Sequence, residues 1–182
     1  MRWLYSFIFF RLCGWRITNH IPPDLDRYIC VVAPHTSNWD FPIGIFTRTL
    51  GNMGDVKFLA KETLFKPPFG WFFRFMGGYP VVRSKSINQV DTIAAMFQRG
   101  EIHKVTIAPE GTRKYQPKWK TGFHHIARKA GIPIILATFD YGNKEVILTA
   151  PFPLTDDPEG DIERMKDWFR PHKGKNPEDG VR

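Results

Sequence analysis

Two stretches of this chain are apolar almost without interruption: "YICVVA" at residues 28–33 and "IPIILATF" at 132–139. Both are short for a core helix, rich in β-branched residues, and free of the apolar/polar alternation that marks a strand with one wet face. A strand that buries both of its faces needs cover on both, and helical crossovers between parallel strands supply that cover. The expected fold class is therefore α/β, a central and largely parallel sheet flanked by helices.

The rest of the chain fits that alternation. "VKFLA" (56–60), "YPVV" (79–82), "KVTIAPE" (104–110) and "EVILTAPF" (145–152) read as further strands, the last beside 132–139. Helices are expected from Asp40 to Leu50, where Pro42 falls in the tolerated first turn, and from Ser86 to Gly100, where Ser86 and Gln89 have capping-box spacing. Another runs from Thr121 to Ala130 and is ended by Gly131. A last one follows Asp157 and Pro158, with Ile162, Met165 and Phe169 on one face and Pro171 as its stop. No linker or repeat divides residues 21–171, which read as one domain, and 172–182 read as a loosely held polar tail.

The opening "MRWLYSFIFFRLCGWR" departs from this soluble composition, since six of its first fifteen residues are aromatic. A spanning helix needs about 20 apolar residues, and Arg11 interrupts the run. The segment also lacks the small-residue cleavage site of a secretory signal. At 100° per residue Arg2, Ser6, Cys13 and Arg16 share a sector, although Phe9 intrudes on it and Arg11 lies outside. Residues 1–20 thus read as an imperfect amphipathic helix. It either lies in a membrane interface, with Trp3 and Trp15 at headgroup level, or packs on the core.

The 26 Lys and Arg outnumber the 18 Asp and Glu, and the net charge of +8 favours polyanionic partners: nucleic acid, acidic lipid headgroups or phosphorylated substrates. The two cysteines, Cys13 and Cys30, have neither metal-site nor disulfide-framework spacing, which points to a reducing compartment and no metal site.

Polar residues with chemical potential follow the strands. His35 and Asp40 stand five positions apart in "HTSNWD". They are either a loop histidine beside a helix-capping aspartate, or a base whose second ring nitrogen is oriented by the carboxylate. "GGYPVVRS" (77–84) delivers Arg83, and "IAPEGTRKY" (107–115) delivers Glu110, Gly111, Thr112 and Arg113, with Lys118 and Lys120 shortly after. Glycine permits close backbone approach and guanidinium matches phosphate bidentately. Taken together they suit a hydroxyl nucleophile on a phosphate-bearing substrate. Ser37 beside His35 lacks the GxSxG elbow of a nucleophilic serine.

In order, HTSNWD, GGYPVVR, APEGTR and GIPII resemble the four sequence blocks of the glycerolipid acyltransferase family, which includes the lysophosphatidic acid acyltransferases. The resemblance runs from about Tyr28 to Phe139. Two positions depart from the usual pattern: Leu136, where a second proline is common, and Lys114, where a small polar residue is.

This resemblance implies an O-acyltransferase that moves a fatty acyl group from acyl-CoA or acyl carrier protein to the free hydroxyl of a lysophospholipid such as lysophosphatidic acid. His35 is then the general base and Asp40 its orienting partner. Arg83, Glu110, Gly111, Thr112 and Arg113 hold the phosphate region of the acceptor, and Lys61, Lys120 and Gly122 extend the pocket. No bound cofactor is implied. A lipid substrate also favours the interfacial use of the N-terminal helix, hence a peripheral protein on the cytoplasmic face of a membrane. The aromatic stretch "LFKPPFGWFFRFMGG" (64–78) then lines an acyl groove or dips into the bilayer, its plainer reading being core and loop. Three alternatives stand beside this: the same fold with a lyso-ornithine lipid or glycan acceptor, a catalytically silent lipid binder, and a basic aromatic nucleic-acid module. The last lacks any nucleic-acid motif.

Overall fold

A computed structural model describes residues 2–51, 53–81 and 86–182. Among them, seven strands form one sheet: β1 (Arg16–Asn19), β2 (Tyr28–Val32), β3 (Lys57–Lys61), β4 (Gly78–Val81), β5 (Lys104–Ile107), β6 (Ile134–Asp140) and β7 (Glu145–Leu148). Their order is β1-β7-β6-β2-β5-β3-β4, and every neighbouring pair is parallel except β6 with β7. The expected α/β class and the pairing of "EVILTAPF" beside 132–139 are both observed.

The two uninterrupted apolar runs are the centre of the sheet. β2 and β6 pair directly, and every residue of both is buried. Residues of one parity, including Ile29, Val31, Ile134 and Leu136, face a cluster with Phe97, Phe123 and Phe169. These belong to α4 (Ser86–Gln98), α5 (Gly122–Ala130) and α6 (Pro158–Phe169). The other parity, with Cys30, Val32, Ile135 and Ala137, faces the side covered by the N-terminal segment and α2 (Asp40–Leu50). Period-two placement of side chains thus feeds two cores from one strand. α6 starts as its sequence dictates: Pro158 occupies the first turn, and the Asp157 carboxylate accepts from Glu159 N at 3.1 Å and Gly160 N at 3.0 Å.

The N-terminus differs from a helix over 1–20. α1 covers Arg2–Ser6, Phe7–Leu12 wind as a π-helix, and Arg16–Asn19 join the sheet as β1. The i→i+5 winding breaks the 100° count on which the sequence reading of this face rested. Trp15, expected at a membrane interface, is buried instead, stacked 5.9 Å from Phe9 and edge-on to Tyr141 at 5.0 Å. Phe9 and Tyr5 also pack on Phe46 of α2, at 5.2 and 5.3 Å between ring centres. Trp3, Leu4, Phe7 and Leu12 remain exposed. One side of this segment is therefore core and the other faces solvent.

In 64–78, Phe65 is buried while Phe69, Trp71 and Phe75 stand out from α3 (Gly70–Phe75) and its approach. Residues 172–182 are held rather than loose. Tyr141 N donates to Lys173 O at 2.8 Å, and Asn176 Nδ2 donates to Thr36 O at 2.9 Å. Lys114 Nζ bonds Asp179 Oδ2 at 3.0 Å. Gly174 lets this segment press on the β2–α2 loop, since a Cβ there would lie 2.6 Å from Thr36 Oγ1. The polar composition that suggested a free tail supplies the partners of these loops.

Candidate active site

β2, β3, β5 and β6 run parallel to one another, so the loops after them open on one edge of the sheet, where α/β folds gather their ligands. His35 follows β2, Glu110 to Arg113 follow β5, Lys61 ends β3, and Tyr141 follows β6.

The capping reading of Asp40 does not hold. Trp39 is the N-cap residue and no side chain caps α2. Asp40 instead points back into its loop: Oδ2 accepts from His35 Nδ1 at 2.8 Å and from the amides of Thr36 and Ser37 at 3.1 Å each. Oδ1 accepts from the Tyr141 hydroxyl at 2.8 Å. A buried carboxylate needs its lone pairs satisfied, and these donors do so. Because a carboxylate accepts only, the bond assigns the proton to Nδ1 and leaves Nε2 as the basic ring nitrogen. The Asp40 side chain is 3% exposed and that of His35 32%, so the pair has one buried and one reachable member. The hydroxyl of Ser37 accepts from Trp39 N at 3.2 Å, a turn contact.

Glu110 does not stand among the residues lining the cleft, contrary to its expected role at the acceptor. Its carboxyl turns inward, where Oε1 accepts from His35 N at 3.0 Å and Oε2 is buried without a partner among the described residues. Burial, opposed in part by that backbone N–H, pushes its pKa up to about 7. Physically, it ties the loop after β5 to the backbone of the histidine. A sign follows for stability. Glu110 ionises near 4.5 as a free carboxyl and near 7 in the fold, so the folded state holds the proton more tightly. Its contribution is fully present below the lower value and is lost as pH rises through the upper. Chemical denaturation from pH 5 to 8 should show wild-type stability declining relative to Glu110→Gln; parallel curves would contradict the buried neutral carboxyl.

Gly111 adopts φ +66°, and a Cβ there would lie 3.0 Å from Lys120 Cε, so Lys120 lies against the turn. Lys120, Thr112 and Arg113 line a cleft of about 1480 Å³ together with His35 and Asp40. Gly111, Gly122 and Lys61 line it too. Arg83 lies outside the described residues. The cleft continues past Gly44, Ile45, Met53, Val56, Phe139 and Leu148, between α2 and the sheet. Its volume exceeds the roughly 300–1,000 Å³ of most small-molecule sites, and much of its wall is hydrocarbon.

Sequence reasoning missed Tyr141 and the Thr36–Asn176 contacts. Tyr141 had a usable signal: it is the first residue beyond β6, which pairs in parallel with β2, and His35 also follows closely on its strand, three residues past the end of β2.

Fold and site together define a class, an α/β sandwich with a histidine–aspartate pair in the wall of a largely apolar cleft and cationic loops around it. More particularly, the chain belongs to the Acyltransferase family, whose model matches residues 16–139. It is 28% identical over 131 residues to the 1-acyl-sn-glycerol-3-phosphate acyltransferase of Salmonella typhimurium, covering 68% of this chain and 52% of that protein. It is 34% identical over 84 residues to the Saccharomyces cerevisiae protein of the same name, covering 42% of this chain and 28% of that one. The chain thus spans about half or less of the length of these curated relatives. The solved structure of the 1-acyl-sn-glycerophosphate (LPA) acyltransferase PlsC from Thermotoga maritima shares the fold. Its TM-score is 0.54 and its identity 20%, over 85% of this chain and 71% of that one.

Proposed function

We propose that this protein transfers a fatty acyl group from an acyl thioester to the free hydroxyl of a lysophospholipid of the lysophosphatidic acid type. The observation that carries this reading is the bond from His35 Nδ1 to a buried Asp40, at 2.8 Å, in the wall of a cleft shared with Arg113. In this mechanism Nε2 takes the proton of the acceptor hydroxyl as its oxygen attacks the thioester carbonyl. The C–S bond breaks, the thiolate leaves with the electron pair, and the imidazolium returns the proton to it. Asp40 stabilises the imidazolium in between. A thiolate is a good leaving group, so no acyl-enzyme is needed. Arg113 and Lys120 bind the acceptor phosphate, Arg113 by bidentate pairing and Lys120 as a point charge. The apolar part of the cleft holds an acyl chain. The names of the Salmonella and yeast relatives support the choice of acceptor.

The reading includes reversible attachment to a membrane, on the cytoplasmic face, where thiols and their thioesters persist. Among the described residues no helix is long and apolar enough to cross a membrane. The exposed Trp71 and Phe75 of α3, like Trp3 and Phe7, suit an interface. Each large apolar side chain inserted contributes about 1.5–3 kcal/mol. The pair Trp71→Ala and Phe75→Ala should therefore weaken cosedimentation with anionic vesicles by about tenfold or more, and unchanged binding would remove α3 from the contact.

The test of function is direct. Purified protein is incubated with labelled acyl-CoA or acyl carrier protein and a panel of lysophosphatidic acid, other lysophospholipids and a lyso-ornithine lipid, and products are identified by mass. Acylated lysophosphatidic acid is the expected product. Transfer to none of the panel would overturn the proposal, and transfer to the ornithine lipid alone would replace the acceptor.

A further inference from the structure

The strongest unassigned feature is the second oxygen of Asp40. Its Oδ2 serves His35 and two amides, whereas Oδ1 receives the Tyr141 hydroxyl at 2.8 Å, a contact that closes a sequence separation of 101 residues. The phenol is itself fixed from three directions. Its ring meets the buried Trp15 edge-on at 5.0 Å, the Lys175 ammonium lies 5.7 Å from its centre, and its backbone N donates to Lys173 O at 2.8 Å. Swinging Tyr141 away would cost its edge contact with Trp15, which is itself buried and stacked on Phe9 with ring centres 5.9 Å apart. Burial, then the charge of Asp40 and the bond to it, push the pKa of the phenol up, so it remains a donor.

We infer that Tyr141 is a positioning residue: its hydroxyl fixes the rotation of the Asp40 carboxylate, and through Oδ2 the plane and tautomer of the His35 imidazole. The reason is geometric. Three donors converge on Oδ2 and set where that atom lies, but the carboxylate plane also depends on where Oδ1 is held. A donor on a rigid ring at Oδ1 removes that freedom, so Nδ1–H has a single direction to bond and Nε2 a single direction to face. Preorganisation of this sort acts on the chemical step rather than on substrate binding. Tyr141 touches no reacting atom in this scheme. The inference rests on the acyl-transfer reading for its kinetic arm, and its spectroscopic arm is independent of that reading.

The experiment uses Tyr141→Phe, which removes one oxygen and keeps the ring against Trp15. A hydrogen bond to a charged group has a value that corresponds to a loss of about ten- to a hundredfold in rate. That loss is expected in kcat, with the KM of the acceptor unchanged. In the Asp40→Asn background the same substitution should cost less than about threefold, because its effect passes through the carboxylate. Without any turnover assay, the downfield proton resonance of the His35–Asp40 bond should shift or broaden in Tyr141→Phe. An unaltered kcat and an unaltered resonance would overturn the inference. Equal losses in the wild-type and Asp40→Asn backgrounds would do so as well. If the wild-type protein acylates nothing, the acyl-transfer reading fails and the resonance alone decides the role of Tyr141. A variant that unfolds, seen as lost near-ultraviolet dichroism, would replace positioning with a structural role.

Discussion

Replacement of His35 by alanine is expected to reduce turnover by about 10²- to 10⁴-fold, the range that a positioned general base supplies, with cooperative thermal unfolding retained. The two halves of this expectation have separate origins. The ring is the member of the pair that solvent and substrate reach, at 32% exposure, so its removal opens no deep cavity. The backbone N of residue 35 would still donate to Glu110, and the Asp40 Oδ2 would keep the amides of Thr36 and Ser37. What disappears is Nε2, which under the proposed mechanism accepts the proton of the attacking hydroxyl. Single-turnover measurement with saturating acyl-CoA and lysophosphatidic acid reads the chemical step directly. A rate equal to wild type would remove His35 from the role of base, whatever the family's sequence pattern.

Asp40→Asn should lower kcat by a similar factor, about 10²- to 10⁴-fold, and this substitution separates charge from shape. The asparagine carbonyl can occupy the Oδ2 position and accept from Nδ1 and the two amides, while its NH₂ faces the Tyr141 oxygen, which can accept in turn. The loop therefore has a satisfied alternative and the fold should persist. In the proposed mechanism the imidazolium would lose its counter-charge, and an inverted amide would present a donor to Nδ1 and impose the wrong tautomer. A loss confined to kcat, with little change in the acceptor's KM, is the expected signature. If KM rises and kcat holds, Asp40 would instead be a substrate-binding or loop-shaping residue.

Much of the architecture is visible in residue order because it is local. The apolar runs at 28–33 and 132–139 belong in the middle of a covered sheet, and their strands, Tyr28–Val32 and Ile134–Asp140, are buried along their whole length there. Asp157 followed by Pro158 starts a helix through contacts no more than three residues away, and Gly131 ends one through contacts no more than four away. The N-terminal segment shows where local counting stops. Its aromatic density was plain, but the division between buried Phe9 and Trp15 and exposed Trp3 and Phe7 depends on where Phe46 and Tyr141 lie. The departure at Lys114 also gains a partner: its ammonium bonds Asp179, within the segment that seemed loose.

The site divides along the same line. Residue types and spacing were enough to nominate His35, Asp40 and the loop from Glu110 to Arg113, since a base, a carboxylate and cations after strand ends are chemical facts about the chain. Orientation was not in the string. Five residues of separation allow Asp40 either to cap a helix or to bond an imidazole, and side-chain rotation about two bonds decides between them. Glu110 could equally face a cleft or the backbone behind it. Those choices were settled by distant partners, Tyr141 on Oδ1 and His35 N on Glu110, because a buried polar group goes wherever a donor awaits it. Local propensity writes the elements and their order; the cost of leaving a buried polar atom without a donor or acceptor, which only packing can relieve, aims the side chains of the candidate site.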